Sequence, residues 1–211
     1  MTNVKTENAM DRFVRSTRAI FASESNPEKR WQALGPVLQE MLADPDLRSA
    51  SQGWPACNFK ERVENLLFYE DPDYGFVINA LKRNPDQPPA KHPTRPNWRG
   101  IHDHAHIYTL YGVLAGNEMI ERYERMDDGT REGYCELTKT GDFQVAPGHV
   151  DLVKPYEIHA ERSLGEATVA VIIRSEKSGE FLQGRYDPDN NEYWESLGPI
   201  QVPVEMIPES I

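Results

Sequence analysis

From residue 74 onward the sequence breaks into short apolar runs separated by turn residues, and this pattern constrains the fold more than any other feature. The runs typical of strands are YGFVINAL, IYTLYGVLAG, MIERYERM, GYCELTKT, DLVKP, ATVAVIIR and EYWES. Turn signals such as Asp127-Asp128-Gly129 and Ala146-Pro147-Gly148 lie between them. Many short strands at this spacing predict a mainly β chain, either a sandwich or a double-layered barrel.

The residues before this region favour helices. Residues 7–44 carry apolar side chains at helical spacing, and a helix start signal lies at Ser25–Pro27. We expect Gly35-Pro36 to kink the second part of this segment or to divide it in two, because proline removes a backbone donor. A further short helix is expected around Phe59–Leu67.

The expected domain organisation is an α-helical N-terminal extension, residues 1–68, packed on a barrel, residues 69–211. A long segment at residues 82–100, KRNPDQPPAKHPTRPNWRG, interrupts the barrel and contains five prolines. A loop of this length inside a compact domain favours a lid or a binding loop over an idle connection.

Composition narrows the class of function. Acidic residues outnumber basic ones 34 to 23, for a formal net charge of −11, and no local basic patch is evident, which argues against nucleic-acid binding. No apolar run is long enough to cross a membrane. The first residues are polar and do not resemble an export signal. Cys57 and Cys135, the only cysteines, share no short spacing, which favours a reducing compartment. We therefore expect a cytoplasmic protein that acts on small molecules.

Three of the six histidines occupy alternate positions in GIHDHAHIYTLYGVLAG, namely His102, His104 and His106. Because side chains two apart on a strand point to the same face, His102 and His104 can converge on one metal ion. His106 lies too far along a straight strand to complete the set, so a different strand must supply the third ligand. The best candidate is His159, which follows a turn and precedes a buried run. The weaker candidates are His149, beside a turn glycine, and His92, in the long loop.

These stretches resemble the two sequence motifs of the cupins. Gly100-Ile101-His102-Asp103-His104, followed by apolar residues up to Gly116, is similar to the first motif. The second motif is matched, one residue shorter, by Gly148, Pro155 and His159. Within the cupins, residues 40–176 resemble the cysteine-dioxygenase-like branch, that of bacterial thiol dioxygenases.

The resemblance implies a cupin double-stranded β-helix, a jelly-roll barrel, with His102, His104 and His159 as metal ligands. It also implies iron(II) as the metal. The three imidazoles alone do not select iron, because they would equally accept zinc, nickel or manganese. Exposed cupin sheets often pair, so a homodimer is a further expectation.

Departures from the family bear on the substrate. Many cupins have a glutamate ligand four or five residues after the second histidine, where this chain has Tyr108 and Thr109. The metal is then expected to have three neutral ligands, and an anionic chelating substrate would supply the missing negative charge. Mammalian-type cysteine dioxygenases cross-link a cysteine to a tyrosine. The corresponding positions in this chain are Thr109 and Arg174, so the cross-link cannot form here. The family's carboxylate-binding arginine would fall near Glu64–Leu66, where there is none.

Several other side chains are candidates for contacting the substrate or dioxygen. Arg174 ends an apolar run, where it either binds an anionic substrate group or meets Glu176 or solvent. Strand alternation places Tyr108 on the ligand face, where its hydroxyl could hydrogen-bond dioxygen or substrate, and packing in the core is an equal interpretation. The remaining candidates for lining the pocket are Arg95, Arg99, His106 and Tyr111.

Three functional hypotheses follow. The first is a non-haem iron(II) dioxygenase that acts on a small thiol or another chelating organic acid, with dioxygen as co-substrate. The second is a metal-dependent lyase or isomerase of a small organic acid on the same three-histidine site. The third is a non-catalytic cupin sensor whose helical part docks a partner. Fold resemblance does not choose among them.

Overall fold

A computed structural model describes residues 7–57, 64–83, 98–165 and 167–204 of the chain. Its helices are α1 (Ala9–Ser23), α2 (Pro27–Ala43) and α3 (Pro45–Gln52). Its strands are β1 (Glu64–Glu70), β2 (Val77–Arg83), β3 (Thr109–Ala115), β4 (Glu118–Arg125), β5 (Leu137–Val145), β6 (Val150–Val153), β7 (Ile158–Ser163), β8 (Thr168–Arg174), β9 (Leu182–Asp187), β10 (Glu192–Leu197) and β11 (Ile200–Pro203).

Each helix begins at a side chain that caps it. The side-chain oxygens of Asn8, Asn26 and Asp44 accept hydrogen bonds from backbone N–H groups in the first turns of α1, α2 and α3. The predicted division of the second helix does not occur, because α2 runs through Gly35-Pro36 and keeps Pro36 on its exposed face. Among the described residues, no helix combines the length and the apolarity needed to cross a bilayer.

The helix expected around Phe59–Leu67 is wrong where the chain is described, since Glu64 onward forms β1. Residues 58–63 lie outside the described part. β1 is hydrogen-bonded to β2 on one side and to β11 on the other, and those two ladders satisfy its backbone. A short buried apolar run has no periodicity that separates a strand from a helix, so these distant pairing partners decide its structure.

The strands form two layers. The larger sheet has the order β11-β1-β2-β8-β3-β6, and the smaller sheet has the order β5-β4-β7. The segment at His102 bridges to His159 of β7 and to Arg185 of β9, so the smaller layer continues through that segment to the β9–β10 hairpin. If β2, the His102 segment and β3 to β8 are counted as eight successive strands, the layers have the orders 1-8-3-6 and 5-4-7-2. Two facing sheets with this connectivity make a jelly-roll barrel, the double-stranded β-helix that was predicted.

The boundary between the helical and β parts differs from the expected one. β1 crosses the predicted boundary at 68/69 and belongs to the larger sheet, so the β unit begins no later than Glu64. β2 extends to Arg83, into the start of the proline-rich segment 82–100. Residues 84–97 of that segment lie outside the described part, so its role as a lid remains a prediction.

Helix α2 approaches the outer face of the larger sheet at a glycine. A Cβ atom at Gly112 of β3 would lie 2.8 Å from Leu42 Cδ1 and 3.1 Å from Leu38 Cδ2. Both leucines are fully buried. The missing side chain at this position therefore sets how closely the helix packs on the sheet.

We expect Gly112→Val to lower the free energy of unfolding by about 1–3 kcal/mol, because the added methyl groups overpack the contact with α2. The matched control is Gly141→Val in β5, where a Cβ atom meets nothing within 4 Å. Chemical denaturation of the two variants measures the difference. Equal stability of the two would contradict the close approach at Gly112.

Candidate metal centre

Three histidine side chains meet in the interior of the barrel. One donor atom from each of His102, His104 and His159 lies within 4.8 Å of the other two. The Nε2 atoms of His102 and His104 are 3.1 Å apart. Two ligands at about 2.1 Å from one ion, at right or tetrahedral angles, are separated by about 3.0–3.4 Å. The three imidazoles are thus spaced as a group that could hold one metal ion.

The backbone explains how two distant stretches of sequence bring their histidines together. The N–H of His102 donates to the carbonyl of His159, and the N–H of His159 donates to the carbonyl of His102, both at 2.9 Å. Residues paired in this way share a face, so the two rings project together. After His104 the chain turns at Ala105, which has a left-handed φ of 51°.

Hydrogen bonds on the far side of two rings orient them. Nδ1 of His102 lies 2.9 Å from the carbonyl oxygen of Gly100, and Nδ1 of His159 lies 3.1 Å from that of Glu157. A carbonyl oxygen only accepts, so each Nδ1 carries the proton and donates it. Each Nε2 therefore turns toward the other histidines, with its lone pair available to a metal when the ring is neutral.

The charge state of two rings suits metal binding. Burial, followed by the neighbouring His159, lowers the pKa of His102 to about 3. The same causes lower the pKa of His104 well below its usual value. Both rings are neutral near pH 7, and a neutral imidazole is the form that coordinates a metal.

A carboxylate that the sequence analysis missed lies against the third histidine. Oε1 of Glu161 is 2.9 Å from Nε2 of His159, off the direction of a regular hydrogen bond, and the Glu161 side chain is only 7% exposed. Burial disfavours the charged forms of both Glu161 and His159. The attraction between their opposite charges is stronger than this effect, so the pKa of Glu161 is lowered and that of His159 is raised. The expectation that only the substrate supplies negative charge beside the three neutral ligands is corrected.

The position of Glu161 had a signal in the sequence. It lies two residues after His159, so strand alternation places both on one face. Recognising Ile158–Ser163 as strand β7 would have revealed the pairing, but the polar end of IHAERS concealed it.

Asp103 holds the loop between the first two histidines. Its Oδ1 accepts from the N–H groups of Ala105 at 2.8 Å and Gly184 at 3.0 Å, and its Oδ2 accepts from the Tyr186 hydroxyl at 2.6 Å. The side chain is buried. This carboxylate is engaged by these three donors and fastens the loop to β9.

We expect Asp103→Ala to lower the free energy of unfolding by about 3–5 kcal/mol, because three donors lose their acceptor and at least two of them stay buried. Tyr186→Phe removes one of the three bonds and should cost about 1 kcal/mol. Thermal and chemical unfolding of both variants measure the effect. A loss for Asp103→Ala no greater than that for Tyr186→Phe would show that the carboxylate does not hold the loop.

Two predicted site residues lie away from the histidines. Tyr108 stacks on Trp31 of α2 with ring centroids 5.9 Å apart and planes 3° apart, so it packs outside the barrel and does not face the ligands. His106 is half exposed, 3.2 Å from Glu176. The turn at Ala105 breaks the alternation assumed from His102 onward, and a shift of one residue reverses which face each later side chain occupies.

The loop arginines do not gather at the site where they are described. Arg99 is exposed and lies 3.3 Å from Asp189. Arg95 and His92 fall outside the described residues. His149 lies with its ring centroid 6.0 Å from that of Phe143 and is not part of the histidine group.

Two other predicted residues do lie inside the barrel. The Tyr111 hydroxyl donates to Glu118 Oε2 at 2.7 Å, and burial followed by that carboxylate raises its pKa. Arg174 is 4% exposed, and its Nε and Nη1 have no partner among the described residues. Burial lowers the pKa of Arg174 to about 10, so it remains a cation at neutral pH. The alternative pairing with Glu176 is not observed, since Glu176 contacts His106.

Comparison with solved structures gives distant neighbours, several of them described as cupin or double-stranded β-helix proteins. No model of a protein family matches the chain, and no curated protein does. A cupin domain of Schizosaccharomyces pombe Cnp3 is 10% identical with a TM-score of 0.35, and the match covers 54% of this chain and 64% of that domain, less than two thirds of its length.

Two bacterial structures match more of their own length. A protein of Bacillus halodurans is 12% identical with a TM-score of 0.42, covering 63% of this chain and 81% of that one. A double-stranded β-helix protein of Klebsiella pneumoniae is 15% identical with a TM-score of 0.37, covering 71% and 87%. Because these scores are low, the fold assignment rests on the chain's own strand order. That order defines a double-stranded β-helix, and the three histidines inside it form a candidate metal site.

Proposed function

We propose that the protein is a metal-dependent enzyme, specifically an iron(II) dioxygenase that acts on a small thiol or another chelating organic acid. The observation that carries the proposal is the convergence of one nitrogen from each of His102, His104 and His159 within 4.8 Å. Imidazole nitrogens in this number suit divalent iron as well as zinc, and they leave coordination positions for a substrate donor and dioxygen. Iron(II) bound here would supply a redox-active centre that brings those two together.

The residues around the site support an acidic substrate. Arg174 offers a buried guanidinium with unpartnered donors, which matches a carboxylate. The carbonyl oxygens of Gly100 and Glu157 hold two ligand rings in place, so the ligand set is preorganised. With a thiol substrate both atoms of dioxygen enter the product, a sulfinate, and no external reductant is needed.

A second candidate is a lyase or isomerase of a small organic acid that uses the same metal as a Lewis acid. The observation that favours it is Glu161, a buried and ionised carboxylate beside His159. Such a reaction needs a proton acceptor beside the metal, and Glu161 is a carboxylate in contact with a ligand histidine. Because His159 lowers its pKa, Glu161 would be a weak base that takes only an acidic proton. The two candidates differ in their need for dioxygen.

The test is oxygen consumption by protein purified without oxygen and loaded with iron(II). We expect dioxygen uptake with small thiol carboxylic acids and a product heavier by two oxygen atoms. His104→Ala should abolish uptake, while His149→Ala should leave it intact. Turnover of an organic acid without oxygen would favour the lyase or isomerase, and no turnover in either condition would contradict both enzymes.

A further inference from the structure

The inner face of the larger sheet carries buried polar side chains that lack hydrogen-bond partners. Among the described residues, no partner is found for Thr109 Oγ1, for either polar side-chain atom of Asn79, or for Nε and Nη1 of Arg174. Thr109 and Asn79 are wholly buried. Leaving such groups unpaired is costly, so a cluster of them indicates a place where something else supplies the partners.

Strand register places these three side chains on one face of the sheet, with Arg174 on the strand between the other two. Arg174 of β8 pairs directly with Thr109 of β3 and with Val77 of β2. Asn79 follows Val77 by two residues and therefore lies on the same face. Opposed residues are close neighbours, and diagonal ones are about 7–8 Å apart. We call Asn79, Thr109 and Arg174 together the Arg174 cluster.

The Arg174 cluster lies beside the three histidines. Thr109, which follows His104 by five residues, begins β3 and pairs directly with Arg174 at the end of β8. In agreement with this placement, the charge of Arg174 is one of the causes that lower the pKa of His104. Further along the same face, the polar groups are paired with one another: Tyr111 donates to Glu118, whose Oε1 lies 3.8 Å from Arg83 Nη1. The unpartnered groups lie toward the end of this face where the chain enters β3, five residues after His104. A substrate bound to the metal would approach the sheet at this end.

We propose that the Arg174 cluster is a substrate subsite that binds a carboxylate and an adjacent hydroxyl, so that among the chelating organic acids of the proposed function it favours a small acid that also carries a hydroxyl group. The guanidinium and the Thr109 hydroxyl donate to the carboxylate. Asn79 has both an unpartnered donor and an unpartnered acceptor, and a hydroxyl group satisfies both. The inference rests on the proposed function for the nature of the reaction, but the subsite itself is built without the metal.

Calorimetric titration of propionate, lactate and 3-hydroxypropionate tests the subsite, on the metal-free chain and on the zinc-loaded chain. We expect one of the hydroxy acids to bind more tightly than propionate. Arg174→Met should weaken all three acids by about 10–100-fold, because it removes charge-assisted hydrogen bonds. Thr109→Val should weaken all three by about threefold to tenfold. Asn79→Leu should remove the preference for the hydroxy acid and leave propionate unchanged.

Stability separates a binding role from a structural one. Asn79→Leu and Thr109→Val remove unpaired polar groups, so the melting temperature of the ligand-free chain should rise while acid binding weakens. The matched control is Thr17→Val in α1, another buried threonine whose hydroxyl has no partner in the described structure. It should raise the melting temperature and leave acid binding unchanged.

Failure of either proposal is distinguishable. Absence of acid binding by the wild-type chain in both forms, or binding unaffected by Arg174→Met, would overturn the subsite. Acid binding that depends on Arg174 in a chain that consumes no dioxygen would support the subsite and remove the oxygenase. Oxygen uptake with unchanged Michaelis constants in Arg174→Met would remove the subsite and keep the oxygenase.

Discussion

A chain with His159→Ala is expected to lose its stoichiometric metal, with the dissociation constant for iron(II) or zinc rising by more than about 100-fold. Removing a group that only hydrogen-bonds a metal ligand lowers metal affinity roughly 10–100-fold, and removing the ligand itself lowers it further. His159 is the one ligand contributed by β7, so its removal leaves only the two neighbouring imidazoles of His102 and His104. Their two nitrogens do not enclose an ion.

The substitution is a clean test because the backbone bonds between residues 102 and 159 involve no side-chain atom. The fold should persist, as circular dichroism can check, while metal analysis and calorimetric titration report the lost site. His149→Ala is the control, since that ring lies apart from the group. One tightly bound metal per chain in His159→Ala would remove the third ligand from the account.

We expect Glu161→Gln to weaken metal binding by about 10–100-fold, the second-largest effect on the site. The carboxylate oxygen lies 2.9 Å from the ligand nitrogen of His159, in a buried position where its charge is weakly screened. Replacing it with a neutral amide of the same shape leaves the positive charge of a bound ion uncompensated. Competition with a chelator of known affinity measures the change.

The control for Glu161→Gln is Glu121→Gln. Glu121 of β4 is also a buried carboxylate, but it lies on the face of the smaller sheet opposite that of His159. There it contacts Lys139 and Arg162. Its substitution should cost stability and leave metal affinity unchanged. Equal metal affinity of Glu161→Gln and the wild type would show that the ion draws its compensating charge from elsewhere.

The periodic features of the sequence predicted most of the fold. Short apolar runs with turns between them predicted the barrel strands β2 to β6 and β8. The apolar side chains at helical spacing within residues 7–44 include those on the buried face of α2, namely Trp31, Leu34, Leu38 and Leu42. β1 was not predicted, because an apolar run that is buried on both faces reads equally well as a helix. The ladder with β11, from the far end of the chain, decides it.

The candidate metal-binding histidines could be predicted from residue type and spacing. The positions of the residues after them could not, because they depend on the local backbone conformation. The meeting of the alternate histidines with His159 could be predicted, because a metal site needs several imidazoles and this chain has only six histidines. The positive φ of Ala105 turns the chain after His104, and the sequence DHAHIY contains no glycine or proline that would predict this turn. That turn moved Tyr108 to the helical side and exposed His106.

Asn79 has no property in the sequence that marks it for function, and Thr109 is notable only as a position where the family's glutamate and cysteine are replaced. In the structure both stand out because they are buried without partners, and burial depends on the tertiary packing of three strands. Arg174 differs, because a cation at the end of an apolar run is costly to bury, and this makes it a candidate for function from the sequence alone.

The most direct measurement is an anomalous diffraction map of crystals of the iron(II)-loaded protein, recorded at the iron absorption edge. The account predicts a single peak per chain, with ring nitrogens of His102, His104 and His159 each about 2.0–2.3 Å away. A peak bound by fewer than three of these imidazoles, or an iron located elsewhere on the chain, would contradict it.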